Sequence, residues 1–201
     1  MKTHDYVKAI IAELDHATSQ TQAEGIENFI SSIMSSEKVF VTGAGRSGLM
    51  GKSFAMRLMH LGINAFVTGE TVTPAFTEND LLIVGTGSGK TESLLHMAEK
   101  AKDIGGTVAA VTTSSDSPIA EIADLILQLP GSPKDQTTGS KQTIQPMGSL
   151  FEQTLLLIYD AIILRIMEIK GLNTHNMYAN HANLEYINLH VKKITIRYLG
   201  R

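Results

Sequence analysis

Two runs of the chain interleave hydroxyls with glycine: "VTGAGRSG", which carries Arg46 and Ser47, and "VGTGSGKTES", which carries Thr86, Gly87, Ser88, Gly89, Lys90 and Thr91. Each follows a short apolar run and precedes a helical one. Hydroxyls and backbone N–H groups at such a strand-to-helix turn converge on an anion, which the positive end of the helix also attracts. An acid, Glu152, opens the apolar stretch "SLFEQTLLLIYDA". A carboxylate leaning on an apolar stripe suits proton transfer at carbon. The combination points to a small phosphorylated substrate and acid–base chemistry.

Both glycine runs also carry misleading labels. A nucleotide-gripping P-loop has four residues between its glycines, whereas Gly85 and Gly89 enclose three, and Val84 stands where the first glycine belongs. Gly43, Gly45 and Gly48 match dinucleotide spacing, with Glu70 near the place of a ribose-binding acid. Arg46 and Ser47, however, put polar side chains where a pyrophosphate should meet bare backbone. A sugar phosphate accounts for both runs together; helix capping accounts for about one hydroxyl in each. Arg46 either polarises a substrate oxygen or pins its loop. For Glu152 the spacing leaves two roles open, since Ser149-Leu-Phe-Glu152 also reads as a capping box.

The elements that must position these residues follow from periodicity. Apolar residues recur at helical intervals from Thr3 to Ser36, with Gly25 as the weak point, so one or two amphipathic helices precede the first strand. Five β-rich runs then alternate with helical ones, and runs such as Leu81 to Val84 are apolar without alternation. That pattern predicts a three-layer α/β fold, a doubly wound five-stranded parallel sheet with added N- and C-terminal helices. At 201 residues one domain is expected: helices over 1–36, sheet core over 37–130, a polar loop and C-terminal helices over 131–190, and a basic tail over 191–201 that suits an edge strand, a docking arm or disorder equally. Met50, Met56 and Met59 at helical spacing read as core packing.

Composition narrows the function classes. With 17 Lys+Arg against 20 Asp+Glu the net charge is -3, which advertises neither a nucleic-acid nor a membrane partner. The absence of cysteine removes disulfides, thiolate nucleophiles and Cys-ligated zinc. No signal-peptide core or membrane-length apolar run is present, so a cytoplasmic location is expected.

Taken together, "VTGAGRSG", "GTGSGKTES", "GSPKDQ", "QTIQPMGSLFEQTLLLIYDA" and "HANLE" resemble the sugar isomerase (SIS) family, and within it the 6-phospho-3-hexuloisomerases of the ribulose monophosphate pathway. The resemblance runs from the first helix to about Glu185. It implies interconversion of 3-hexulose 6-phosphate and fructose 6-phosphate without metal or nucleotide cofactor, in a homotetramer with sites at subunit interfaces. It also implies a pathway neighbour, 3-hexulose-6-phosphate synthase, in formaldehyde assimilation or pentose phosphate supply. By motif it makes Ser47 and Thr86 to Thr91 the phosphate site, Glu152 the proton-transferring base and His181 a second acid/base, a role an imidazole suits near neutral pH. The terminal helices are apolar enough to need a partner beyond a sheet already covered, so His181 is expected to enter an adjacent subunit's crevice. Lys90 departs from the family, which usually has Glu there; it either strengthens phosphate binding or faces solvent. Two alternatives are another phosphosugar isomerase, such as one acting on arabinose 5-phosphate, and a non-catalytic sugar-phosphate sensor. The roughly 35 residues before the first strand lack the basic cluster a DNA-binding sensor would be expected to carry.

Overall fold

A computed structural model describes residues 1–131 and 143–184. Residues 132–142 of the polar loop, Glu185 and the basic tail 191–201 lie outside the described residues. Two helices, α1 (Thr3–Ser19) and α2 (Ala23–Ser35), precede β1 (Val39–Gly43), α3 (Gly45–His60) and β2 (Ala65–Val67). They are followed by β3 (Leu81–Gly85), α4 (Glu92–Ile104), β4 (Thr107–Thr112), α5 (Pro118–Ile122), β5 (Leu125–Gln128), α6 (Ser149–Lys170) and α7 (Thr174–Ala179).

All strand pairs are parallel, in the order β2-β1-β3-β4-β5. Apolar side chains on successive residues of β3 enter opposite layers because a strand's side chains alternate in direction. Leu81 and Ile83 join a core with α2, α3 and α6, while Leu82 and Val84 join one with α4 and α5. The expected three layers are therefore present, and burial of the strands on both faces explains their unbroken apolar runs.

Chain order reverses between β1 and β3, since β1 leads outward to β2 and β3 returns on its other side. Gly43 and Gly85, the last residues of these strands, lie in register with each other. Such a switch point leaves a crevice outside the carboxyl ends of the strands, where ligands bind in open α/β sheets. Both glycine runs therefore begin at the same opening.

Three local expectations need revision. The N-terminal break falls at residues 20–22, not at Gly25, because Gln20 N–H and Thr21 N–H close the last turn of α1 on Ala17 and Thr18. Gly25 instead sits in the first turn of α2. Met50 packs partly on the core, but Met56 and Met59 are exposed on the outer face of α3, whose buried stripe runs through Gly51, Phe54, Ala55 and Leu58. Helical spacing identified a shared helix and not its inward face. The Ser149/Glu152 capping box does not form, since Ser149 N–H bonds to Pro146 O and no side chain caps α6.

Candidate active site

The first wall of the crevice is the turn between β1 and α3. Gly45 adopts a φ of 59°, and a Cβ on Gly48 would lie 2.4 Å from the Gly43 carbonyl oxygen. The dinucleotide-like glycine spacing thus serves a tight turn and close packing of α3 on β1. Glu70, the would-be ribose ligand, pairs with Lys52 at 2.5 Å on the surface. Ser47 is buried in the first turn of α3 and faces the opening.

The second wall is the turn from β3 into α4. Thr86 Oγ1 accepts from Gly89 N–H at 3.2 Å, and Ser88 Oγ accepts from Lys90 N–H at 3.3 Å. Gly89 has a φ of 63°, and a Cβ there would fall 1.9 Å from Ser117 Oγ. Gly89 therefore shapes the loop from behind, whereas Thr86, Gly87, Ser88, Lys90 and Thr91 line the crevice. Thr91 holds the N-cap position of α4 without a side-chain cap bond, and α3 likewise begins at Ala44 with none. Capping does not account for the hydroxyls of either run, and both helices begin at one opening with no side-chain cap on their first-turn amides.

Sequence reasoning missed a third contribution, from the end of β4. Thr113 donates through Oγ1 to Gly87 O at 2.7 Å and through its N–H at 3.1 Å, pinning the second glycine loop. Thr113 and Ser114 also line the crevice. The Ser/Thr run "TTSS" directly after an apolar strand was the available signal. Beyond it the Ser114 hydroxyl, with Lys90 as a lesser influence, holds the Asp116 carboxyl below its ordinary value. Lys90 thus lies within electrostatic reach of a surface acid as well as of the crevice.

The remaining wall is the start of α6. Phe151 lies against Gly87, where a Cβ would come 3.3 Å from its ring, and Gly131 and Gly148 complete an opening of about 460 Å³. Glu152 follows in the first turn, with only 9% of its surface exposed. Its face continues through the buried Leu155, Tyr159 and Ile163. With the capping box unformed, its carboxylate is turned toward Arg46. Arg46 Nη1 donates both to Glu152 Oε2 at 3.2 Å and to Ser149 Oγ at 2.9 Å. One guanidinium thus ties the first glycine run to the base of the apolar helix.

His181 is elsewhere in its own chain. Its ring stacks on His60 at 5.2 Å and on Tyr178 at 6.1 Å, beyond the end of α7. His60 ends α3, which begins next to Arg46. At about 1.5 Å of rise per residue, the fourteen residues from Arg46 to His60 span roughly 21 Å, so Glu152 and His181 lie at opposite edges of the sheet. Burial, then the nearby Arg57 and His181 charges, push the His60 imidazole below its usual value. Among the described residues no group of three or more His, Cys, Asp or Glu could hold a metal ion, and no helix is long and apolar enough to cross a membrane.

Comparison with known proteins agrees with this fold. The family model described as SIS domain matches residues 32–157, which takes in β1 to β5 and the first turns of α6. A Bacillus subtilis protein named 3-hexulose-6-phosphate isomerase is 56% identical over 185 residues, covering 92% of this chain and all of that one. A Mycobacterium gastri protein of the same name is 39% identical, over 86% of each chain. A Methanococcus jannaschii crystal structure, from which a molecular function of 3-hexulose-6-phosphate isomerase was inferred, superposes with a TM-score of 0.76 at 35% identity. It covers 90% of this chain and 99% of that one.

Proposed function

The chain belongs to the SIS domain family, and from that premise we infer that it isomerises 3-hexulose 6-phosphate to fructose 6-phosphate. The observation that carries the reading is the convergence of two uncapped, hydroxyl-bearing helix starts and a nearly buried glutamate on one crevice at the strand-order reversal. Resemblance over the full length of a relative bearing that activity's name supports the substrate.

Ser47, Ser88 and Thr91, with the first-turn amides of α3 and α4, bind the phosphate, and Lys90 adds positive charge at the rim. That end of the substrate is fixed, so carbons 2 and 3 extend toward α6. Glu152 removes the proton from C2 of the 3-ketose, the electron pair forms the C2–C3 double bond of an enediolate, and the C3 oxygen takes the negative charge. The C2 hydroxyl proton passes to the C3 oxygen, and returning the carbon-derived proton to C3 as the C2 oxygen becomes a carbonyl gives the 2-ketose, with no net change in atoms or oxidation. One base on one face serves both carbons. Arg46, already paired with Glu152, is the cation that stabilises the enediolate oxygens, and Phe151 keeps water from the intermediate.

His181 shuttles protons between the substrate oxygens, or opens the ring, from a neighbouring subunit. About 21 Å of α3 separates Arg46, the partner of Glu152, from His60, on which His181 stacks; this supports a shared site, and exposed Leu157 and Leu164 on the outer face of α6 suit subunit packing in a homotetramer. The protein works in the cytoplasm next to 3-hexulose-6-phosphate synthase in formaldehyde assimilation. Synthetic 3-hexulose 6-phosphate incubated with the pure protein tests the substrate: fructose 6-phosphate should form, with arabinose 5-phosphate unchanged. Turnover of arabinose 5-phosphate alone would assign a different isomerase, and tight fructose 6-phosphate binding without turnover of either would assign a sensor.

A further inference from the structure

Residues 143–148 lead directly into the catalytic helix, and their path is not one they would adopt unaided. Met147 has a φ of 55°, in the left-handed region that a Cβ disfavours, and its side chain is 63% exposed, so its own packing does not compensate. Such a conformation persists when neighbouring contacts over-determine it. Here those contacts come from α1. Glu13 Oε2 accepts from Thr143 Oγ1 at 2.5 Å and from Gln145 Nε2 at 3.0 Å, while Glu13 Oε1 accepts from Ile144 N–H at 2.7 Å.

Thr143 and Gln145 are both buried, where a polar group is stabilised by a partner, and Glu13 provides one to each. Thr143 Oγ1 also accepts from Gln145 N–H at 3.0 Å, and Gln153 Nε2 donates to Gln145 Oε1, which carries the network to the residue after Glu152. Burial would raise the Glu13 carboxyl, but its three donors outweigh burial and hold it below its ordinary value, so it is an anion at neutral pH. A carboxylate about 130 positions away in sequence thus clips down the strained turn that delivers Gly148, Ser149 and Glu152 to the crevice.

We propose that Glu13 is a positioning residue for the isomerisation: it holds residues 143–147 in the strained path that places Glu152 against the substrate carbons. This rests on the reading of Glu152 as the base. Neither glycine loop touches the clip, so phosphate binding should be largely independent of it.

Glu13→Gln keeps the shape but replaces one acceptor oxygen by a donor. For fructose 6-phosphate, kcat should fall about 10- to 100-fold, as expected for small misplacement of a catalytic group, with KM changed by less than about threefold. Amide hydrogen exchange should quicken at 147–152 and stay unchanged in α4. Met147→Gly, added to Glu13→Gln, should recover kcat about tenfold, because glycine takes the left-handed turn without the clip. A folded Glu13→Gln protein with kcat within about twofold of the parent would overturn the proposal. So would a loss of kcat with faster exchange throughout and no recovery from Met147→Gly. If Glu13→Gln fails to fold, Thr143→Ala, which removes one donor, should give a smaller kcat loss with the same local exchange pattern, and an unchanged kcat would overturn it. Glu152→Gln is read separately: if it kept parental activity the base assignment would fail, whatever the exchange at 147–152 showed.

Discussion

Replacing Arg46 by Ala removes a guanidinium that joins the two halves of the crevice, and the structure sets the size of the effect. At 3.2 Å the Arg46–Glu152 pair is worth about 1.3 kcal/mol at the dielectric of water and about 5 kcal/mol at an effective value of about 20. Arg46 is 47% exposed and Glu152 only 11% by side chain, so solvent screens one partner while the other bears a desolvation cost. The net coupling should therefore lie near the low end, about 1–2 kcal/mol. The assay is a double-mutant cycle on unfolding free energy in urea, with Arg46→Ala, Glu152→Gln and the pair. Because Arg46 also bonds to Ser149, Arg46→Ala alone should cost more than its coupling to Glu152, with up to about 1 kcal/mol remaining after Glu152→Gln. Additivity of the two substitutions within about 0.3 kcal/mol would refute the pairing as an energetic link, leaving Arg46 a surface residue near the crevice.

Other outcomes follow from the same geometry. Mixing Glu152→Gln and His181→Ala subunits should restore activity through hybrid sites; mixed oligomers that stay inactive, with both variants folded, would count against a site shared between subunits. His60 should make stability fall in mild acid. With its folded value depressed below the ordinary 6.5, the unfolded chain binds the extra proton, so the stabilisation is complete above about pH 6.5 and lost as pH falls toward the folded value. His60→Gln should flatten that slope in unfolding measured between about pH 7 and 5, and an unaltered slope would mean another group sets it. Gly89→Ala combines a left-handed φ with a Cβ on Ser117 Oγ, and should destabilise by about 2–4 kcal/mol; a change under about 0.5 kcal/mol in thermal unfolding would show that the loop relaxes freely.

Much of this arrangement could be read from the chain because it is periodic or local. The unbroken apolar run Leu81–Val84 announced a doubly covered parallel strand, and hydroxyls next to glycine marked both loops of the crevice. Links across long separations left no local trace. Nothing near Arg46 or Glu152 in sequence shows that they meet 106 positions apart, and Glu13 reads as one more polar residue on an amphipathic helix until Thr143 and Gln145 are seen to depend on it. The capping box failed for a related reason: the Ser149 N–H was satisfied by Pro146, which freed Glu152 for a partner that local spacing cannot reveal. Met56 and Met59 show that a helical period fixes relative and not absolute facing.

The central claim is that Glu152 moves a proton between adjacent carbons of a ketose phosphate held by the two glycine loops. Incubating the protein with fructose 6-phosphate in D₂O and following deuterium at carbon tests it most directly. Solvent deuterium should enter at the C3 position in the parent protein and about 10²- to 10⁴-fold more slowly in Glu152→Gln, the span expected for loss of a general base. Equal exchange rates in the two proteins, or no carbon-bound deuterium in the parent, would contradict it.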